Sequence, residues 1–224
     1  MSQAFGQMLP FAVVIGLSPI PLVAVIAMLF SQRAIPNGVA FLFGWIVGVA
    51  GGLTLLTALG STRDLGSSGS PSTATTLLRF AVAALLLGAA ARAWRKRPKP
   101  GEDAPMPRWM ERIDGIDPGG AFVLAVVLGG VNPKNLLMNV AAAAVLASAS
   151  LPTPDAALAI ALYTAVASST VALAVVYRVT RGDRAAATLE RMRGWLAANN
   201  ATVMFVLFLI LGVKVAGDAI SGLG

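Results

Sequence analysis

An apolar run from Ala121 to Ala149 is interrupted in its middle by Gly130-Val131-Asn132-Pro133-Lys134-Asn135-Leu136, and no other stretch limits the fold so tightly. Proline lacks a backbone donor and pushes the preceding residue out of the helical region, so a helix passing through hydrocarbon must bend or restart there. Asparagine is a good N-cap and proline suits the first helical position, which makes Asn132-Pro133 read as a restart. The chain carries an echo at Gly16-Leu17-Ser18-Pro19-Ile20-Pro21-Leu22, again flanked by apolar residues, and the two glycines lie close to half of the 224 residues apart. The expectation is two related halves, each led by a broken helix whose second part starts near the bilayer centre with its positive dipole end exposed. The other reading is a pair of proline kinks relieved by neighbouring groups. The four-residue pattern alone is not specific, because Gly115-Ile116-Asp117-Pro118 nearly matches it outside any span.

With 57% apolar and 12% charged residues and a mean hydropathy of +0.78, the chain belongs in a membrane. At roughly 20 residues per span it holds about six helices and no separate catalytic domain. The expected fold is all-α and polytopic. The run through Phe30 is too long for a signal-peptide core and forms span one. Span two covers 38–60, with Gly44, Gly48 and Gly52 at the spacing that admits another helix closely. Residues 61–76 read as a Ser/Gly-rich loop. Span three covers 77–94, span four 120–149, span five 156–179 and span six 201–220. Trp109, Met110 and Ile113 suit either a short interfacial helix or a disordered linker. Leu189, Met192, Trp195 and Leu196 suit either a second interfacial helix or an extension of span six.

The basic residues orient the chain. Connections one-two, three-four and five-six hold 13 of the 17 Lys and Arg, so they are expected to be cytoplasmic, with both termini outside a bacterial plasma membrane. The +7 charge thus reports topology, not nucleic acid. Because each half has three spans, the second starts on the opposite side from the first. Residues 1–94 and 119–224 are therefore expected to be inverted three-helix repeats, joined by a basic, Pro-rich linker at 95–118, with a second basic cytoplasmic segment at 178–198.

Ser18-Pro19-Ile20-Pro21-Leu22, followed by Arg33, Gly38, Gly44-Trp45 and Gly48, resembles the opening of the LysE superfamily of six-span exporters, and Asn132-Pro133-Lys134-Asn135-Leu136 resembles the Asn-Pro-Lys signature of its fourth span. Within that superfamily the chain is most similar to the GAP family of actinobacterial glycolipid and peptidoglycolipid addressing proteins. The resemblance implies export of a cell-envelope lipid or glycolipid. Ile20 stands where amino-acid exporters carry glycine, which argues against the small ligand of that branch. A homodimer or partners in an envelope-lipid export complex fit the same resemblance. The alternatives are an exporter of amino acids or other small molecules, and a non-transporting scaffold.

The residues expected to form the substrate site are Ser18, Pro19, Pro21, Asn132, Pro133, Lys134, Asn135 and Asn139, with Arg79 and Lys214 as further basic residues inside spans. A mid-span lysine is costly unless it faces a polar interior, so Lys134 is expected to face a cavity that prefers an anionic head group. Arg79 and Lys214 have a second reading as residues snorkelling to the surface, and Asp218 is placed to pair with Lys214. With neither His nor Cys, and no carboxylate pair in a span, no enzyme chemistry, metal site or cofactor is expected. A phosphate-binding loop is likewise missing, so ATP hydrolysis is not expected.

Overall fold

The computed structural model describes residues 2–61, 73–97, 113 and 115–221. Their order is α1 (Ser2–Gly16), α2 (Pro19–Met28), α3 (Ala34–Ser61), α4 (Thr73–Arg95), α5 (Pro118–Val126), a π-helical turn (Val127–Val131), α6 (Pro133–Ala149), α7 (Thr153–Arg181), a 3-10 turn (Gly182–Ala185) and α8 (Ala186–Ser221). No strand occurs among the described residues. Both interruptions are real: α1 and α2 meet at 50°, and the α5–π segment meets α6 at 53°. Each pair is apolar and long enough to count as one broken span, and α3 and the stretch from Thr153 to Ser221 also meet that test. At about 1.5 Å per residue a helix of 28 residues such as α3 exceeds the ~30 Å hydrocarbon thickness.

The chain divides into two compact units, one of residues 1–66 and 106–196, the other of 67–105 and 197–224. In the first, α1, α3, α6 and α7 surround a core that includes Trp45, Tyr163, Phe41 and Met138. Its two ends group the connections as the basic residues suggest. At one end the Asn37 Nδ2 donates to the Ile116 carbonyl at 2.9 Å, and the Arg178 Nε donates to the Leu29 carbonyl at 3.2 Å. At the other, Gln3 and Gln7 of α1 line a cavity of about 270 Å³ together with Ser148 and Leu151. In the second unit α4 packs on the later part of α8, where the Trp94 and Phe205 rings lie 4.7 Å apart.

The glycine stripe of α3 is a packing seam. A Cβ on Gly48 would lie 2.7 Å from the Val126 carbonyl oxygen and 3.0 Å from the Gly130 nitrogen, and Gly44 meets Phe122 even more tightly. The approach is mutual, since a Cβ on Gly130 would lie 2.7 Å from the Gly48 oxygen. Only a residue without a side chain permits this backbone-on-backbone contact.

One open alternative is settled and one boundary shifts. The basic amphipathic segment before span six is continuous with it, because α8 starts at Ala186. Helix α3 begins at Ala34, four residues before the expected start of span two at 38, since Pro36 falls in its first turn where no intrahelical donor is needed. The π-helical turn was not foreseen; it falls at the Gly129-Gly130 pair against α3. The expected loop at 61–76 and interfacial helix around Trp109 and Met110 lie largely outside the described residues.

The seam yields a paired test in detergent. Gly44→Ala should lower the free energy of unfolding by about 1–3 kcal/mol through overpacking. Gly51→Ala, whose Cβ would meet nothing within 4 Å, should leave the midpoint unchanged or raise it, by up to ~1 kcal/mol of helix propensity.

Candidate functional site

The break after α1 leaves three carbonyls, Val14 to Gly16, without the amide donors that a continuing helix would supply. Each is paired in another way. The Ser18 amide donates to the Ile15 carbonyl at 3.3 Å. The Ser18 hydroxyl turns back along α1, lying 2.7 Å from the Ile15 oxygen and 3.1 Å from that of Val14. The Lys134 ammonium donates to the Val14 carbonyl at 3.0 Å and also to the Ser18 Oγ. The Thr170 hydroxyl, from α7, donates to the Gly16 carbonyl. Gly16 allows this arrangement, because a Cβ there would lie 3.1 Å from the Val166 oxygen of α7.

Ser18 thus occupies the N-cap position of α2 without capping it through its side chain. Its hydroxyl serves the end of the preceding helix, whose carbonyls have the greater need. Asn132 does cap: its Oδ1 accepts from the Lys134 amide at 3.0 Å. Asn135 closes the π-helical turn, its Nδ2 donating to the Leu128 carbonyl at 2.8 Å and to that of Gly129 at 3.3 Å. Asn139 accepts from the Tyr163 hydroxyl at 3.0 Å. Asn135 and Asn139 are fully buried and turned into the protein, rather than lining an open chamber. Pro19 and Pro21 are buried, whereas Pro133 is exposed.

The structure therefore joins Ser18 and Lys134, and with them the two breaks. The ammonium lies at the carbonyl end of α1, where the partial negative charge of the helix dipole offsets its own. It does not line any of the three described cavities. The helix starts themselves offer few donors, since Pro19, Pro21 and Pro133 occupy first-turn positions of α2 and α6. Lys214 and Arg79 belong to the second unit. Lys214 pairs with Asp218 at 2.7 Å on the surface of α8, and Arg79 lies on α4 with its side chain outside the described residues.

A polar stripe on α7 completes the site and was not anticipated. Besides Tyr163 and Thr170, Thr164 and Ser168 are buried there, and the Ala167 carbonyl accepts from the Trp45 Nε1 at 3.2 Å. The Asn135 Oδ1, Asn139 Nδ2, Thr164 Oγ1 and Ser168 Oγ find no protein partner among the described residues. The signal lay in the i, i+4 spacing of Thr164 and Ser168 within a largely apolar span.

The carbonyl ledger can be checked by denaturation. Thr170→Val keeps the shape but orphans the Gly16 carbonyl and should destabilise by about 1–3 kcal/mol. Ser169→Ala should change little, because the Ser169 hydroxyl is exposed and only bonds back to Val166 of its own helix.

No curated protein and no solved structure matches the chain. A family model described as Sap, sulfolipid-1-addressing protein, matches residues 8–221, which includes both breaks, Lys134 and the α7 stripe. By that match over nearly its whole length, the chain belongs to the sulfolipid-1-addressing protein family.

Proposed function

We propose that the protein is a membrane transporter that exports or flips a cell-envelope lipid or glycolipid with an anionic head group, by alternating access about the two helix breaks. The observation that carries this reading is the reach of Lys134 from the second break to the Val14 carbonyl and Ser18 hydroxyl of the first. An ammonium held by neutral oxygens exchanges them readily for a sulfate, phosphate or carboxylate, which binds it more strongly. A head group arriving between the breaks competes for Lys134, frees the end of α1 and lets the two bent spans part. The unpartnered polar atoms of Asn135, Asn139, Thr164 and Ser168 then become available to hydroxyls of the cargo or to water. A sulfolipid, the lipid named in the family description, has this chemistry.

The remaining architecture follows the same reading. The protein crosses a bacterial plasma membrane six times as two inverted repeats, in the manner of the LysE superfamily, with 31–33, 115–117 and 182–185 inside and both termini outside. It performs no covalent chemistry, and its partners are the lipid and other copies or components of an export complex.

Reconstituted in liposomes, the protein should move a labelled anionic glycolipid between leaflets, and Lys134→Gln should slow this about tenfold to a hundredfold, the worth of one charged hydrogen bond. A folded, inserted Lys134→Gln variant working at the original rate would overturn the proposal. Movement of an amino acid in place of lipid would favour the small-solute branch, and movement of neither would favour a scaffold.

Orientation is open to a separate test, made clean by the lack of native cysteine. Single cysteines at Gln3 and Ser150 should react with an impermeant maleimide added to intact cells, and those at Gln32 and Gly182 only after lysis.

A further inference from the structure

The second unit contains a cavity of about 320 Å³ between α4 and the later part of α8, well away in sequence from either break. Its lining includes Arg92 in the last turn of α4 and Lys96 just past the end of that helix, four residues on, and no carboxylate. Its floor is apolar, formed by Met204 and Phe208 of α8 together with alanines of both helices such as Ala93 and Ala201. Asn200 also lines it, and the Asn200 Oδ1 is buried with no protein partner among the described residues.

These three features select a ligand. Two cations beside an apolar trough suit an amphiphile whose charged head group is negative and whose tail lies along the helices. An orphaned acceptor requires a donor, and among lipid head groups a hydroxyl supplies one. Alanines along the facing stripes keep the trough open where larger side chains would fill it. The basic end of α4 also marks the level at which head groups sit, because charged side chains gather where a span meets water.

We infer that this groove is a binding site for an anionic membrane lipid with a hydroxylated head group, its charge on Arg92 and Lys96, a hydroxyl on Asn200 and an acyl chain against Met204 and Phe208. The site does not depend on whether the helix breaks carry transport. It gives the protein a resident lipid, or a waiting place for cargo, on a unit to which Lys134 does not belong.

The test uses the purified full chain in neutral detergent, with lipid binding read by native mass spectrometry and by melting temperature. Phosphatidylglycerol should bind about tenfold more tightly than phosphatidylcholine. Phosphatidylmethanol, which has the same charge and no head-group hydroxyl, should fall between them, and soluble glycerol 1-phosphate should not compete. The pair Arg92→Gln and Lys96→Gln should abolish the preference for phosphatidylglycerol. Asn200→Leu should make phosphatidylglycerol no better than phosphatidylmethanol, and Met204→Trp, which fills the trough and leaves its charges intact, should weaken both anionic lipids. Arg191→Gln with Arg193→Gln, equally basic and in the other unit, should keep the preference. A preference that survives in the Arg92/Lys96 variant, or is lost equally in the Arg191/Arg193 variant, overturns the inference. So does competition by glycerol 1-phosphate, which would reveal a site for soluble anions. If the Arg92/Lys96 variant does not fold, Asn200→Leu and Met204→Trp decide the matter, since neither changes a charge.

Discussion

Backbone carbonyls cannot be left bare in hydrocarbon, and the first unit is arranged around that demand. Water is not at hand to solvate a broken helix inside a bilayer, so each freed oxygen needs a donor from elsewhere in the protein. At the end of α1 the donors come from the next residues of the chain, from α6 and from α7. At the π-helical turn they come from the Asn132 amide and the Asn135 side chain. Ser18, Asn132, Asn135 and Thr170 are therefore structural before they are anything else. Lys134 meets the same demand at Val14, and it does so with a charged group at the place where the two bent spans touch.

Close approach of the backbones makes this pairing geometrically feasible. Gly16 lets the end of α1 sit on α7, and Gly48 with Gly130 does the same for α3 against the second broken span. The repeated pattern of glycine, one residue, then serine or asparagine before proline thus has the same physical content in both places. Glycine admits a neighbour, the polar residue answers the loose backbone groups, and proline starts the next helix. Serine and asparagine divide the second task differently: Ser18 looks back to the helix that ended, whereas Asn132 looks forward to the one that begins.

The coarse architecture was legible because it rests on local rules. Proline positions gave both bends, glycine spacing gave the α3 seam, and the distribution of arginine and lysine anticipated which connections share an end. The orientation of the polar side chains was not legible. Asn135 and Asn139 were expected in the substrate site, but whether they met water or protein depended on Tyr163 and on carbonyls freed by a π-helical turn, both set by tertiary packing. Lys134 was singled out by its depth in an apolar run. Its partner was hidden because a carbonyl freed at Val14 becomes evident only when α1 is seen to end two residues later. The α7 stripe was overlooked because serines and threonines are common in membrane helices and carry weight only when buried together.

The partner of the Gly16 carbonyl lies 154 residues further along the chain. While the first segments are being threaded into the bilayer, that oxygen must wait for α7 to emerge from the ribosome. Helices α1 and α7 therefore complete each other, and a fragment that stops short of α7 leaves the Gly16 oxygen without that donor.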